Sequence, residues 1–145
     1  VSGAGPVGVV LAGGAGSRLG GAKPGTVLAG RPLASYPLAA LRGGGLGEIA
    51  IVAKASSDLG GVDTSVVVWV EPDEPRHPLA GVVEALRRGD GRAVLVLACD
   101  LAFVTAEVVR ALVTADAGGA PAVVAVDSGG RSQPLCARYE PAALE

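Results

Sequence analysis

At 145 residues, half of them hydrophobic and only 3% aromatic, the chain is long enough to bury a core of Val, Leu, Ala and Ile without disulfide staples. A net charge of −2 provides no wide positive field for a polyanionic duplex, so nucleic acid is not an expected partner, whereas a small phosphorylated ligand needs only a few local donors. Cys99 and Cys136 sit in apolar stretches without zinc or redox spacing and are expected as buried thiols. The first apolar run is too short for a membrane span and follows no basic leader with a cleavage site, so a soluble, cytoplasmic protein is expected, with no membrane partner.

The chain then alternates short apolar runs with helix-like segments. Val7 to Ala12 is a β-branched run ending in glycines, the pattern of a buried strand feeding a loop. Pro32 to Arg42 has Leu33, Tyr36, Leu38 and Leu41 at helical spacing, a Gly43-Gly44-Gly45 stop behind it, and Pro37 inside it, where a kink or a later start is expected. Strands are predicted at Glu48 to Ala53 and Ser65 to Val70, and a helix at Leu79 to Arg88 with Leu79, Val82, Val83 and Leu86 on one face. Ala93 to Ala98 is the most apolar strand and delivers Asp100. Thr105 is the expected N-cap of a helix over Ala106 to Ala115, with Glu107 near its positive end. Strands follow at Ala122 to Val126 and Pro134 to Tyr139. Strands separated by helices imply right-handed crossovers and a mostly parallel central sheet with helices on both faces, whose ligands bind outside the carboxyl ends of the strands.

Two strand ends carry chemistry. After the first strand comes Leu11-Ala12-Gly13-Gly14-Ala15-Gly16-Ser17-Arg18-Leu19-Gly20-Gly21-Ala22-Lys23. Its glycines let backbone N–H groups approach a ligand, and Arg18 and Lys23 supply charge-assisted bonds to triphosphate oxygens. No Gly-Lys-Ser/Thr closes a Walker A loop, and the third glycine of a dinucleotide fingerprint is missing. By composition alone the segment reads equally well as a flexible connection in a glycine-rich chain. At the other strand end, Asp100 is a hard oxygen ligand of the kind Mg²⁺ uses together with substrate phosphates, although an Asp ending a strand is also a common turn former. His77, the single histidine, lies between prolines. It is read as a solvated loop residue, with a general base as the alternative, and Glu71 and Asp73 are read as solvated charges unless their loop folds over a ligand.

Taken in order, the blocks narrow the reading. Leu11-Ala12-Gly13-Gly14 through Ser17-Arg18-Leu19-Gly20-Gly21 to Lys23, followed by Gly30-Arg31-Pro32-Leu33, resembles the start of nucleotidyltransferases that make NDP-sugars and related cofactors. His77-Pro78-Leu79-Ala80-Gly81, Ala98-Cys99-Asp100-Leu101-Ala102-Phe103-Val104-Thr105 and the Gln-Pro-Leu block Gln133-Pro134-Leu135-Cys136-Ala137-Arg138-Tyr139 resemble blocks of the molybdenum cofactor guanylyltransferases. The resemblance runs from Val9 to about Tyr139. It implies a three-layer Rossmann-like α/β nucleotidyltransferase fold, as a single domain over residues 1–145, and transfer of GMP from GTP to the phosphate of molybdopterin with release of pyrophosphate. By the same resemblance Leu11, Ala12, Gly13 and Gly14 belong to the nucleotide site, the first three meeting guanine and ribose through backbone groups. Lys23 would hold the α-phosphate, Arg18 the outer phosphates and Asp100 the Mg²⁺. The Glu71-Pro72-Asp73 segment occupies the place of a nucleotide-contacting acid, and Asp73 is the residue chosen there.

Some positions depart from the family pattern. Ala22 stands where an acid usually precedes the lysine, Pro24 follows that lysine, His77 replaces a glycine, and Ala102 replaces a proline. The sequence stops at Glu145 where family members continue, so part of the acceptor site is expected to be missing. Alternatives are a relative using CTP or another nucleotide with a different phosphorylated acceptor, and a non-catalytic nucleotide-binding domain. A dinucleotide-binding oxidoreductase is disfavoured, because Lys54 stands where that fold ends its second strand in an acid.

Overall fold

The apolar run at the start of the chain forms β1 (Val7–Leu11), buried along nearly its whole length at the middle of a six-stranded sheet. A computed structural model describes residues 4–13, 24–63 and 65–145. The predicted loop residues Gly14, Arg18 and Lys23 lie outside the described residues. Beyond them come a two-residue hairpin, β2 (Val27–Leu28) and β3 (Arg31–Pro32), then α1 (Ser35–Gly43), β4 (Ile49–Lys54), β5 (Val67–Glu71) and α2 (Pro78–Arg88). The second half supplies β6 (Val94–Ala98), α3 (Ala106–Thr114), β7 (Ala122–Val126), β8 (Ser132–Tyr139) and a closing 3₁₀ turn at Pro141–Leu144.

The sheet order is β5-β4-β1-β6-β8-β7, with β5, β4, β1 and β6 mutually parallel and β8 antiparallel to both of its neighbours. Alternation along the strands builds two cores. Val10, Ile51, Leu95 and Leu97 pack with Leu38 and Leu41 of α1 and Val109 and Leu112 of α3. On the opposite face Val9, Val52, Val94 and Val96 pack with Val82, Ala85 and Leu86 of α2. The fold is therefore the expected three-layer α/β arrangement around a mostly parallel sheet, and aliphatic residues fill most of both interfaces.

Two segments differ from the sequence reading. The helix expected from Pro32 starts at Ser35, because Arg31 and Pro32 pair with Leu28 and Val27 across a turn in which Ala29 and Gly30 both have positive φ. Pro37 then falls in the first helical turn, where no N–H is required, and kinks nothing. The strand expected from Ser65 begins at Val67, since Asp63 Oδ1 accepts hydrogen bonds from both the backbone N and Oγ of Ser65 and holds a turn there. Thr105 caps α3 as expected, accepting from the Val108 N–H at 3.2 Å.

The far end of α3 is finished by a buried guanidinium. Arg138 on β8 donates from Nη1 to the carbonyls of Leu112 (2.6 Å) and Val113 (2.8 Å), from Nη2 to that of Ala115 (2.8 Å), and from Nε to Glu140 (2.6 Å). A cation there meets the negative end of the helix and satisfies carbonyls that lack intrahelical partners. Arg138→Met will strand those acceptors and Glu140, costing about 3 kcal/mol, read as a lowered urea midpoint. An unchanged midpoint would show that water replaces the guanidinium at no cost.

Candidate functional site

All four parallel strands end on one edge of the sheet. β1 leaves it through Ala12 and Gly13, β4 at Lys54, β5 at Glu71, and β6 through Cys99 and Asp100. The chain moves from β1 to β4 and β5 on one side, then returns to β6 on the other, so the direction of winding reverses at β1. Ligands of open α/β sheets bind at such a reversal. The ladder continues past the strand ends: Ala12 N–H donates to the Val52 carbonyl at 2.7 Å and Cys99 N–H to the Leu11 carbonyl at 3.1 Å. Leu11, Ala12 and Gly13 thus leave the sheet beside the segment that presents Asp100.

Asp100 sits in a tight turn. The Leu101 N–H donates to the Ala98 carbonyl and the Ala102 N–H to the Asp100 carbonyl at 2.9 Å. Its backbone makes the turn; its carboxylate does not. Oδ1 is buried and has no hydrogen-bond partner, so the side chain is a poor fit to the role of turn former. A buried anionic oxygen left unpaired is costly, which is reason to look for a cation that completes it. No cluster of three or more metal-ligating side chains occurs among the described residues. The neighbouring Cys99 is held protonated, its pKa pushed up to about 11 by burial and secondarily by the Asp100 charge. Cys136 is raised by burial as well. Neither thiol is a nucleophile at neutral pH.

The second acid of the edge corrects the sequence reading. Glu71 is not a solvated charge: it is 6% exposed, and its Oε2 is also buried without a partner. It stands directly across from Lys54 in the β4–β5 register, and the Lys54 ammonium lies 3.4 Å from Oε1 while donating to the Pro72 carbonyl at 3.0 Å. The carboxylate lies hard against Gly13 and beside Gly81. A Cβ added at Gly13 would land on Oε1, and one at Gly81 of α2 would come within 3.5 Å of Oε2 and 3.1 Å of Leu11 Cδ2. Strand alternation does not choose between the two acids, since Glu71 and Asp73 both share phase with the partly buried Trp69; the register of β5 against β4 does, by setting Glu71 across from Lys54. Asp73, chosen from the segment, is exposed.

His77 is exposed, and its Nδ1 accepts from the Leu79 N–H at 3.1 Å, making it the N-cap of α2 rather than a free loop residue. At the start of β8, Gln133 Nε2 donates to Asp127 at 3.0 Å. The Asp127 carboxyl is held below its ordinary range, chiefly by the Arg131 backbone N–H and further by the Gly129 N–H and the Arg131 side chain. This knot fixes the β7–β8 hairpin. No helix among the described residues is long and apolar enough to cross a membrane.

A family model described as the MobA-like NTP transferase domain matches residues 8–144. The chain belongs to this family. It is a nucleotidyltransferase of the MobA type. A probable molybdenum cofactor guanylyltransferase of Methanocaldococcus jannaschii is 27% identical over 146 residues, covering 94% of this chain and 72% of the relative. Among solved structures, molybdopterin-guanine dinucleotide biosynthesis protein A from Archaeoglobus fulgidus superposes with a TM-score of 0.69 at 24% identity, over 94% of this chain and 68% of that one. The manganese complex of Rv0371c from Mycobacterium tuberculosis gives a TM-score of 0.70 at 17% identity, over 97% and 73% of the two chains. At such identities the two structures bear on fold alone. In this MobA-like chain the Gln-Pro-Leu block contributes Cys136 and Arg138 to packing and capping, and Gln133 to the hairpin knot.

Proposed function

We propose that the protein transfers GMP from GTP to the phosphate of molybdopterin in a Mg²⁺-dependent reaction that releases pyrophosphate in the cytoplasm. The observation that carries this reading is the buried, unpartnered Oδ1 of Asp100 in the turn after β6, beside the Leu11–Gly13 segment that leaves β1. The donor set suits a hard cation: one carboxylate oxygen, with substrate phosphates and water making up the coordination. Bound there, Mg²⁺ would neutralise charge developing on the triphosphate.

The chain's own residues do the remaining work. Backbone groups of Leu11, Ala12 and Gly13, continued by Gly14, bind guanine and ribose, and an acid of the Glu71-Pro72-Asp73 segment, Asp73 or the buried Glu71, contacts the nucleoside. Lys23 holds the α-phosphate and Arg18 the outer phosphates. An acceptor phosphate oxygen attacks the α-phosphorus as the bond to the bridging α–β oxygen breaks, so charge moves onto the departing pyrophosphate. Positioning and electrostatics suffice for such an in-line displacement, and no covalent enzyme intermediate is required. The inert thiols of Cys99 and Cys136 agree with that.

Base choice is read from melting temperatures with Mg²⁺ and each of GTP, CTP, ATP and UTP. A nucleotide at one hundred times its dissociation constant adds about 2.7 kcal/mol to stability. GTP is expected to raise the melting temperature most. A larger shift with CTP would move the reading to a cytidylyltransferase, and no shift with any nucleotide would overturn it.

A further inference from the structure

The Lys54–Glu71 pair lies at the root of the proposed nucleotide site, and the transfer described above leaves Lys54 without a part. Two features set it apart from an ordinary buried ion pair. First, the pair is lopsided: Lys54 engages Oε1 and the Pro72 carbonyl, while Oε2 is buried without any donor. A pair serving stability alone is expected to satisfy both carboxylate oxygens, because each buried orphan acceptor costs free energy. Second, space has been cleared for the carboxylate at the end of β1. A Cβ at Gly13 would land on Oε1, while Gly81 of α2 lies at ordinary contact distance from Oε2, so the ends of β1 and α2 flank this one group.

We propose that Lys54 is a positioning residue for nucleotide binding: it holds the Glu71 carboxylate edge-on between Gly13 and Gly81, with Oε2 turned to accept a hydrogen bond from the nucleoside. The inference rests on the nucleotide-transfer reading and adds to it the group that orients the acid. A carboxylate offers only acceptor sites, so its partner is an N–H or O–H donor. Guanine presents N1–H and the exocyclic amine side by side, and ribose presents two hydroxyls. Lys54 does not touch the ligand. Its ammonium acts by fixing which oxygen of Glu71 remains free, and its backbone N–H is itself anchored to Ser57 Oγ at 3.0 Å.

The test is a double-mutant cycle on nucleotide affinity in the full chain, using Lys54→Met, Glu71→Gln and the double variant, with Lys54→Arg as the conservative replacement. GTP binding with Mg²⁺ is measured by calorimetry, beside the KM for GTP and kcat. Lys54→Met is expected to weaken GTP binding about tenfold and raise KM in parallel, with kcat changed less than about twofold, as loss of uniform binding requires. Lys54→Arg should recover most of that loss. In the Glu71→Gln background, where no buried charge is left to stabilise, Lys54→Met should add no further loss. Additive losses, or a Lys54→Met protein with wild-type affinity, would overturn the positioning role. Inosine triphosphate, which lacks the exocyclic amine, and 2′-deoxy-GTP locate the donor: the analogue that loses sensitivity to Glu71→Gln lacks the group Oε2 meets. Sensitivity retained by both leaves N1–H or the 3′-hydroxyl as the donor. Should the wild-type chain bind no nucleotide, the transfer reading fails and this inference with it. Wild-type binding with an inert Lys54→Met fails the inference alone.

Discussion

Asp100→Ala will reduce pyrophosphate release by about a thousandfold or more while leaving the protein at least as stable as the parent. The two halves of that result have one cause. Asp100 spends its backbone on the turn that ends β6, through the Ala102 N–H, and none of its side-chain bonding on the fold, because Oδ1 is buried without a partner. Deleting a satisfied structural carboxylate would strand its donors and lower the melting temperature. Deleting this one removes an uncompensated desolvation penalty, so the melting temperature should hold or rise. Turnover is lost because this carboxylate is the one proposed to hold the metal. The check is pyrophosphate release at saturating GTP and Mg²⁺, beside a thermal melt of the same sample. Undiminished turnover would remove Asp100 from the chemistry; a large drop in melting temperature would make it a turn former after all.

The second large effect is at Gly13. A methyl there falls on Glu71 Oε1, so Gly13→Ala forces either the end of β1 or the carboxylate to move. β1 is pinned between β4 and β6 and its continuation bonds to Val52, which leaves Glu71 to give way, and Glu71 is held by Lys54. Overpacking against a fixed partner costs about 3 kcal/mol, and displacing backbone donors from a nucleotide should weaken binding by about a hundredfold. Chemical denaturation and GTP titration measure the two separately. Glu71→Ala in the same chain opens the space, so the double variant should regain stability without regaining affinity. A Gly13→Ala protein indistinguishable from the parent in both measurements would show that the strand end and the acid are not in contact.

Much of the architecture was legible because it rests on periodicity. The runs Val7 to Leu11, Ile49 to Lys54 and Val94 to Ala98 are apolar on both faces, as strands covered on both sides must be, and α2 and α3 announce themselves through one apolar stripe and a capping threonine. The β2–β3 hairpin was not legible. Its strands are two residues long, and its turn is made by Ala29 and Gly30 at positive φ instead of the Asn-Gly or Asp-Gly that marks such turns. Pro32 therefore looked like the first residue of a helix. At the site, Asp100 could be read from its position after the most apolar strand, but Glu71 could not be separated from Asp73 by composition. What separates them is the β4–β5 register that sets Glu71 across from Lys54, together with the absence of a side chain at Gly13 that admits it, and register is a tertiary quantity. The roles proposed for Arg18 and Lys23 rest on motif alone.

The proposed reaction is a guanylyl transfer on the carboxyl edge of the sheet. Its most direct test is pyrophosphate release in the presence of Mg²⁺ from each of the four nucleoside triphosphates, with and without molybdopterin. Release from GTP that depends on molybdopterin, and stops when the metal is chelated, is the predicted result. GTP binding with no pyrophosphate released under any of these conditions would contradict it.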